Sequence, residues 1–388
     1  MIRTLTWPLL LAVLLLGQPA RAEQQTAPGA AQFTEANRYH SGTGVLQSFS
    51  KAQALYQQAA DLGHAAAQNK LGQYYHVGLG GAPDQSQALR WLGAAAAQGD
   101  PQHIFDLAAA LEQGADGSSD PASAAALYQQ ASSLGHVDAA VSLGVLYQNG
   151  SGVVQDPQRA LMLYQGPAAQ GHARAQNNLG LLYVRGTDVP QDYARAAALF
   201  AKSAAQGEVT AMRNLSVMYG NGFGVAQSDA KAADWERRAS QQRQIAAFGG
   251  ATCDFDPRLA LPDPNSELQT QQHAAAAGDP VAQFLTGWQL CRSPQASAQD
   301  LTTAARWFKA AAAKGHGPSM ANLGWSYLQG RGVPQDYVLG YMWLTLAQSA
   351  GHPLTLTDSA ALRQRMTVAQ INEAQQRAAS LWQKIRTP

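Results

Sequence analysis

Two Ser-x-x-Lys strings are this chain's nearest approach to a catalytic motif: Ser48-Phe-Ser-Lys51 and Ser228-Asp-Ala-Lys231. In penicillin-recognising enzymes such a string supplies a serine nucleophile and the lysine that activates it. Here the two strings lie 180 residues apart, and no Lys-Thr-Gly follows either of them. Both serines fall in a slot that elsewhere holds Asp84, Asp120, Asp156, Asp192, Asp300 and Asp336, each just ahead of a helical pattern. A hydroxyl or carboxylate in that place accepts the free backbone N–H groups of a helix start. The serines therefore read as helix caps, and no catalytic residue is assigned.

Metal and cofactor chemistry finds no better footing. Five of the nine histidines, His64, His136, His172, His316 and His352, each follow a glycine at a constant interval. A metal site needs ligands converging on one ion at about 2 Å. Equivalent slots in successive helical units stand about 10 Å or more apart, given the diameter of a helix. These histidines read as turn residues that begin a helix. The glycine-rich turn Gly78-Leu-Gly80-Gly81 has no strand before it, as a phosphate-binding loop requires. No metal and no cofactor is expected.

The N-terminus reads as an export signal. Arg3 precedes a short apolar stretch from Pro8 to Gly17, and Ala20-Arg21-Ala22 offers a small-x-small cleavage site before Glu23. The apolar stretch falls short of the ~20 residues needed to span a bilayer. Export to the periplasm is expected, with secretion as the alternative. Loss of Arg3 and Arg21 from the 27 Lys and Arg leaves 25 against 26 acidic residues. So nearly neutral a chain, without a basic stripe, lacks the clustered cations that nucleic-acid binding needs. The two cysteines, Cys253 and Cys291, are expected to pair in an oxidising compartment.

The elements behind these residues repeat every 36 positions. Glycines recur at Gly63, Gly99, Gly135, Gly171 and Gly207, and a second series runs from Gly42 through Gly78, Gly114, Gly150 and Gly186 to Gly222, resuming at Gly330. A fixed period of this length marks a solenoid whose units bury their apolar faces on each other. In the unit after Gly171, Ala175, Leu179, Leu182 and Tyr183 form an amphipathic stripe. Gly186 ends that helix and Asp192 caps a second one, so each unit is helix, turn, helix, turn. Thr367-Val-Ala-Gln370 reads as a capping box ahead of a final amphipathic helix.

The strings Leu143-Gly144-x-x-Tyr147, Gly150-Ser-Gly152-Val153, Asp156, Tyr164 and Ala168-Ala-Gln-Gly171 resemble the Sel1-like repeat, a relative of the tetratricopeptide repeat. Leu323-Gly324-Trp-Ser-Tyr327 and Gly330-Arg-Gly332-Val333-Pro-Gln-Asp336 repeat them. The resemblance implies an all-α, right-handed superhelix of eight recognisable units with a C-terminal helical cap. The expected division is a signal peptide over 1–22, a linker over 23–32 and an array over 33–244. A degenerate repeat or insertion over 245–279, a second array over 280–351 and a cap over 352–388 complete it. The bridge between Cys253 and Cys291 would staple the degenerate unit to its neighbour. The first helix, near Phe33–Tyr39, is short and leaves the N-terminal face open to end-to-end packing.

In repeats of this kind one face of the first helix lines a concave groove. That face holds Arg174, Asn177, Asn178, Leu181 and Arg185 in one unit, then Arg213, Asn214, Val217 and Asn221 in the next. Asn178, Asn214 and Asn322 share a slot, where amides bond either an extended peptide or a neighbouring turn. Trp288 and Trp325 share another, as an exposed anchor for a partner or as packing under the irregular region or cap. The resemblance implies a non-enzymatic scaffold that binds another protein in the envelope. A β-lactam or peptidoglycan-related hydrolase of the cysteine-rich Sel1-like type, or a glycan-binding module stacking sugars on those indoles, are the alternatives.

Overall fold

The computed structural model describes residues 28–114, 118–186, 189–248, 268–293, 295–353 and 365–386, with Cys253, Phe255, Asp256 and Leu259 between the third and fourth of these stretches. The expected signal peptide lies outside the described residues. Among them the chain is helical throughout, without a strand. The helices are α1 (Ala30–Ser41), α2 (Phe49–Asp61), α3 (Ala65–Val77), α4 (Gln85–Ala96), α5 (Pro101–Gln113) and α6 (Pro121–Ser133). They continue as α7 (Val137–Asn149), α8 (Pro157–Ala169), α9 (Ala173–Arg185), α10 (Tyr193–Ala205), α11 (Val209–Asn221) and α12 (Asp229–Phe248). The last six are α13 (Leu268–Ala277), α14 (Pro280–Cys291), α15 (Ala298–Ala312), α16 (Gly317–Gln329), α17 (Tyr337–Ser349) and α18 (Val368–Arg386).

The helix starts follow from the capping slot. Asp84, Asp120, Asp156, Asp192 and Asp336 each accept a backbone N–H three residues on. Hydrogen bonds from Ser123 hold the Asp120 carboxyl below its ordinary range. Ser48 accepts from the Lys51 N–H at 3.4 Å and Ser228 from the Lys231 N–H at 3.3 Å, which absorbs both Ser-x-x-Lys strings into caps. One expectation is corrected. Asp300 is not the cap of α15; Ser297 is, with Asp300 in the third helical position completing a reciprocal capping box.

Two glycines explain the packing within and between units. A Cβ on Gly180 would sit 2.7 Å from the Phe200 ring, so its absence lets α10 lie against α9. Gly224, at φ +66°, is closer still: a Cβ would meet the Tyr193 carbonyl carbon at 2.2 Å. The turn after α11 thus rests directly on the backbone that opens α10.

First helices α3 and α5 touch, as do α7 and α9, in addition to the contacts between sequential helices. That places the first helices on the tighter, inner side of the curve. Between α12 and α13 the described residues Cys253, Phe255, Asp256 and Leu259 are not helical. The disulfide to Cys291 ties Cys253 to the end of α14, with the two Cα atoms 6.0 Å apart.

The two ends of the array meet. α18 packs on α17 and also reaches the first unit. One core cluster contains Phe49, Tyr56 and Tyr74 together with Phe284, Tyr341 and Ile371. Gln348 and Ser349 of α17 donate to the carbonyls of Ser41 and Val45. The expected open N-terminal face is therefore corrected: α17 and α18 cover the α1–α2 turn. Thr367 and Gln370 form the anticipated box, with the Gln370 side chain accepting from the Thr367 N–H at 2.9 Å and the reverse bond at 3.2 Å.

Candidate functional site

The inner face is built by the first helices, and most of its polar residues are used between units. The Asn214 amide donates to Asn177 Oδ1 at 2.9 Å, joining α11 to α9. Asn177 in turn donates to Asn178 at 3.3 Å. Arg174 reaches back to Ser142 Oγ on α7 at 3.2 Å, and Arg213 pairs loosely with Glu236 of α12 at 3.9 Å. Asn177 and Asn322 are buried, while Arg174 stays exposed. Asn177 and Asn214 are thus mortar between repeats, bonded from one first helix to the next rather than to a turn. Arg174, Asn177, Asn178, Arg213 and Asn214 do come together on α9 and α11; Asn322 sits apart on α16.

The histidines also link units. His136 and His172 cap α7 and α9 through Nδ1 and turn Nε2 to the preceding repeat. Nε2 of His136 lies 3.0 Å from Gln102 Oε1, and that of His172 lies 2.9 Å from Asp138 Oδ1. Among the described residues no group of three or more His, Cys, Asp or Glu is placed to hold a metal ion. No described helix is long and apolar enough to cross a membrane.

The expected tryptophan anchor is corrected. Trp288 is 8% exposed and Trp325 is 6% exposed. Phe255, two residues after the bonded Cys253, lies with its ring centroid 4.6 Å from that of Trp288, and the Arg292 guanidinium covers the indole at 4.7 Å. Trp325 packs with Leu328 and Leu344 of its own unit. Neither indole is free to dock a partner or stack a sugar. The sequence shows the slot they share but not that Phe255 covers one of them.

Burial also shapes the tyrosines behind the inner face. It pushes the Tyr164 hydroxyl well above its ordinary range, against the opposing charge of Arg174, a bond with Asn178 and the charge of Arg185. Tyr128 is raised for the same reason, helped by its 2.7 Å bond to Glu112. These phenols stay neutral and structural.

Open space on the inner face lies nearer the N-terminus, where no site residue was expected. A cavity of about 660 Å³ is bounded by Lys70, Gln73 and Val77 of α3 and by Met366, Val368 and Ile371 at the start of α18. A smaller one of about 130 Å³ adjoins it, sharing Gln73 and Val77 and reaching Asp106 and Gln113 of α5. Asp106 accepts from Asn69 at 2.7 Å and from Gln73 at 2.9 Å, which fixes the carboxylate between the two helices. Val77 is 53% exposed, an apolar spot among amides and one cation. The signal for this groove was present as Gln73 and Val77 in the inner-face slots, but its far wall comes from α18, which no repeat spacing predicts.

The family described as Sel1 repeat matches residues 36–64, 65–100, 104–136, 137–172, 173–208, 209–243, 280–316 and 317–352. No curated protein is matched by the chain. Among solved structures, a Sel1 repeat protein from Oxalobacter formigenes is 30% identical, covering 54% of this chain and 84% of its own, with a TM-score of 0.50. A protective antigen present in uropathogenic Escherichia coli strains, which displays an SLR fold, is 25% identical over 92% of this chain and 84% of its own, with a TM-score of 0.49. The unmatched stretch 244–279 contains Cys253, which the disulfide ties to Cys291 at the end of α14. With helix pairs in the matched units and the repeat glycines set at their turns, this chain belongs to the Sel1 repeat family.

Proposed function

We propose that the chain is a non-enzymatic scaffold, exported to the periplasm by its N-terminal leader, that holds an extended segment of a partner protein on its inner face. One observation carries this reading: two adjoining cavities share Gln73 and Val77 and form a continuous groove across α3 and α5, walled by the start of α18. Sel1 repeats mediate protein interactions, which supports a protein as the occupant. An extended segment presents one backbone donor and one acceptor per residue. The second N–H of the Gln73 amide, beyond the one bonded to Asp106, and the amide N–H groups of Gln113 can match them, and Val77 offers an apolar contact. The assignment of both Ser-x-x-Lys strings to caps supports the non-enzymatic reading.

The test is a photocrosslinking amino acid placed at Val77 or, as an outward control, at Val154, which is 88% exposed. The full chain is irradiated in an extract of its own cell envelope. One protein joined from Val77 but not from Val154, and lost when Gln73 and Gln113 become Ala, is the expected result. Equal labelling from both positions refutes the groove.

A further inference from the structure

A third cavity, of about 640 Å³, lies at the seam where the ends of the array meet and shares no lining residue with the inner groove. One wall is the first unit, with Tyr39, Ser50 and Lys51; the other is α18, with Asn372, Trp382 and Arg386. The α18 residues that line it recur at 372, 375, 376, 379, 382 and 386, a single stripe along the helix. At about 1.5 Å per residue that stripe is about 21 Å long, so the cavity is a trough rather than a pit.

Its chemistry is specific in kind. Among the described residues no carboxylate lines it, whereas Lys51 and Arg386 both do. A cleft lined by one sign of charge concentrates ligands of the other. The two residues enter the trough at different points along its length. The backbone N–H of Phe49, two residues before Lys51, is bonded to Gln375, eleven residues or about 16 Å of helix from Arg386. Each cation has an aromatic partner nearby. The Lys51 ammonium lies 5.3 Å from the centre of the Tyr39 ring, and Arg386 is one turn beyond Trp382 on the same helix face. Side-chain amides and hydroxyls fill the spaces between. A phosphate group calls for clustered cations, whereas separated cations call for a ligand whose negative charges are spaced along its length.

We propose that this trough binds a short acidic oligosaccharide of the polyuronide type, with a carboxylate on each ring. The flat faces of the sugar rings lie on Tyr39 and Trp382, the carboxylates meet Lys51 and Arg386, and hydroxyls bond Ser50 and Asn372. Because its walls belong to opposite ends of the chain, the bound saccharide clips the first unit to α18. This inference is independent of the protein-binding groove.

Titration calorimetry and thermal melting of the full chain with trigalacturonate test it, beside maltotriose as the neutral sugar and tetraglutamate as the acidic peptide. Trigalacturonate should bind and raise the melting temperature, with maltotriose at least about tenfold weaker. Lys51→Ala and Arg386→Ala alter exposed side chains, so each should melt like the parent without ligand and bind about tenfold more weakly. No binding of trigalacturonate, equal binding of maltotriose, preference for tetraglutamate, or affinity unchanged in both variants would each overturn the proposal.

Discussion

Gln375 on the last helix accepts the backbone N–H of Phe49 at 3.1 Å, across 326 residues of sequence. The same amide donates to Gln47 Oε1 at 3.4 Å, and Tyr341 donates to that oxygen at 2.8 Å. Gln47 and Gln375 are 3% and 7% exposed. A buried polar group is tolerated only when its partners are present, so this junction specifies one way for the ends to meet. Repeat arrays need capped ends to stay soluble. Here the two ends cap each other.

Gln375→Ala removes the acceptor from a buried N–H and a donor from a buried carbonyl. A loss of about 1–3 kcal/mol is expected. Hydrogen exchange should locate it: the Phe49 amide should exchange faster, while amides of α7 to α10 keep their protection.

Much of this fold is legible in the residues. The 36-residue period, the Asp and Ser caps and the stripe of Ala175, Leu179, Leu182 and Tyr183 follow from local physics and hold in the structure. Asp300 misled because Ser297 offers an equally good cap one helical turn earlier. The closure was not legible, because nothing local in Gln47 or Gln375 distinguishes them from the chain's many other glutamines. Their role arises only when eight units of curvature bring them together. Trp288 misled for a related reason: nothing near it in the sequence shows that Phe255 will lie against its indole.

Gly180→Ala brings a methyl to 2.7 Å from the Phe200 ring. Overpacking of this kind costs about 1–3 kcal/mol. Phe200→Leu in the same chain should recover part of that loss, which urea denaturation of both variants and the double variant measures. A simple sum of the two single losses would show that the glycine is there for another reason.

Reduction of the bond between Cys253 and Cys291 should loosen the junction before α14. Closing 38 residues of sequence separation is worth about 4 kcal/mol in the chain-entropy account. The melting temperature should fall in reductant, and a Cys253→Ala/Cys291→Ala variant should match the reduced parent. A melting curve unaffected by reductant would mean that the Phe255 segment holds its place without the bond.

Tyr56, Tyr128 and Tyr164 should make the fold sensitive to alkali. Burial raises each hydroxyl above its ordinary range. An unfolded chain releases these protons near pH 10, while the folded chain keeps them. The folded state then binds more protons, so stability is intact below about pH 10 and falls as the pH rises above it. Tyr→Phe at all three positions should flatten that fall in melting temperature; an unchanged slope would refute the assignment.

The closure itself is tested most directly by a distance. Nitroxide labels on Ser50→Cys and Gln376→Cys would report across the seam, since both positions are exposed and the native cysteines are bonded to each other. Pulsed electron resonance should return one narrow population within about 25 Å, the span of adjoining helices with two label arms. A broad distribution centred on the order of twice that distance would mean that the array is open and that the wall of the inner groove is not in place.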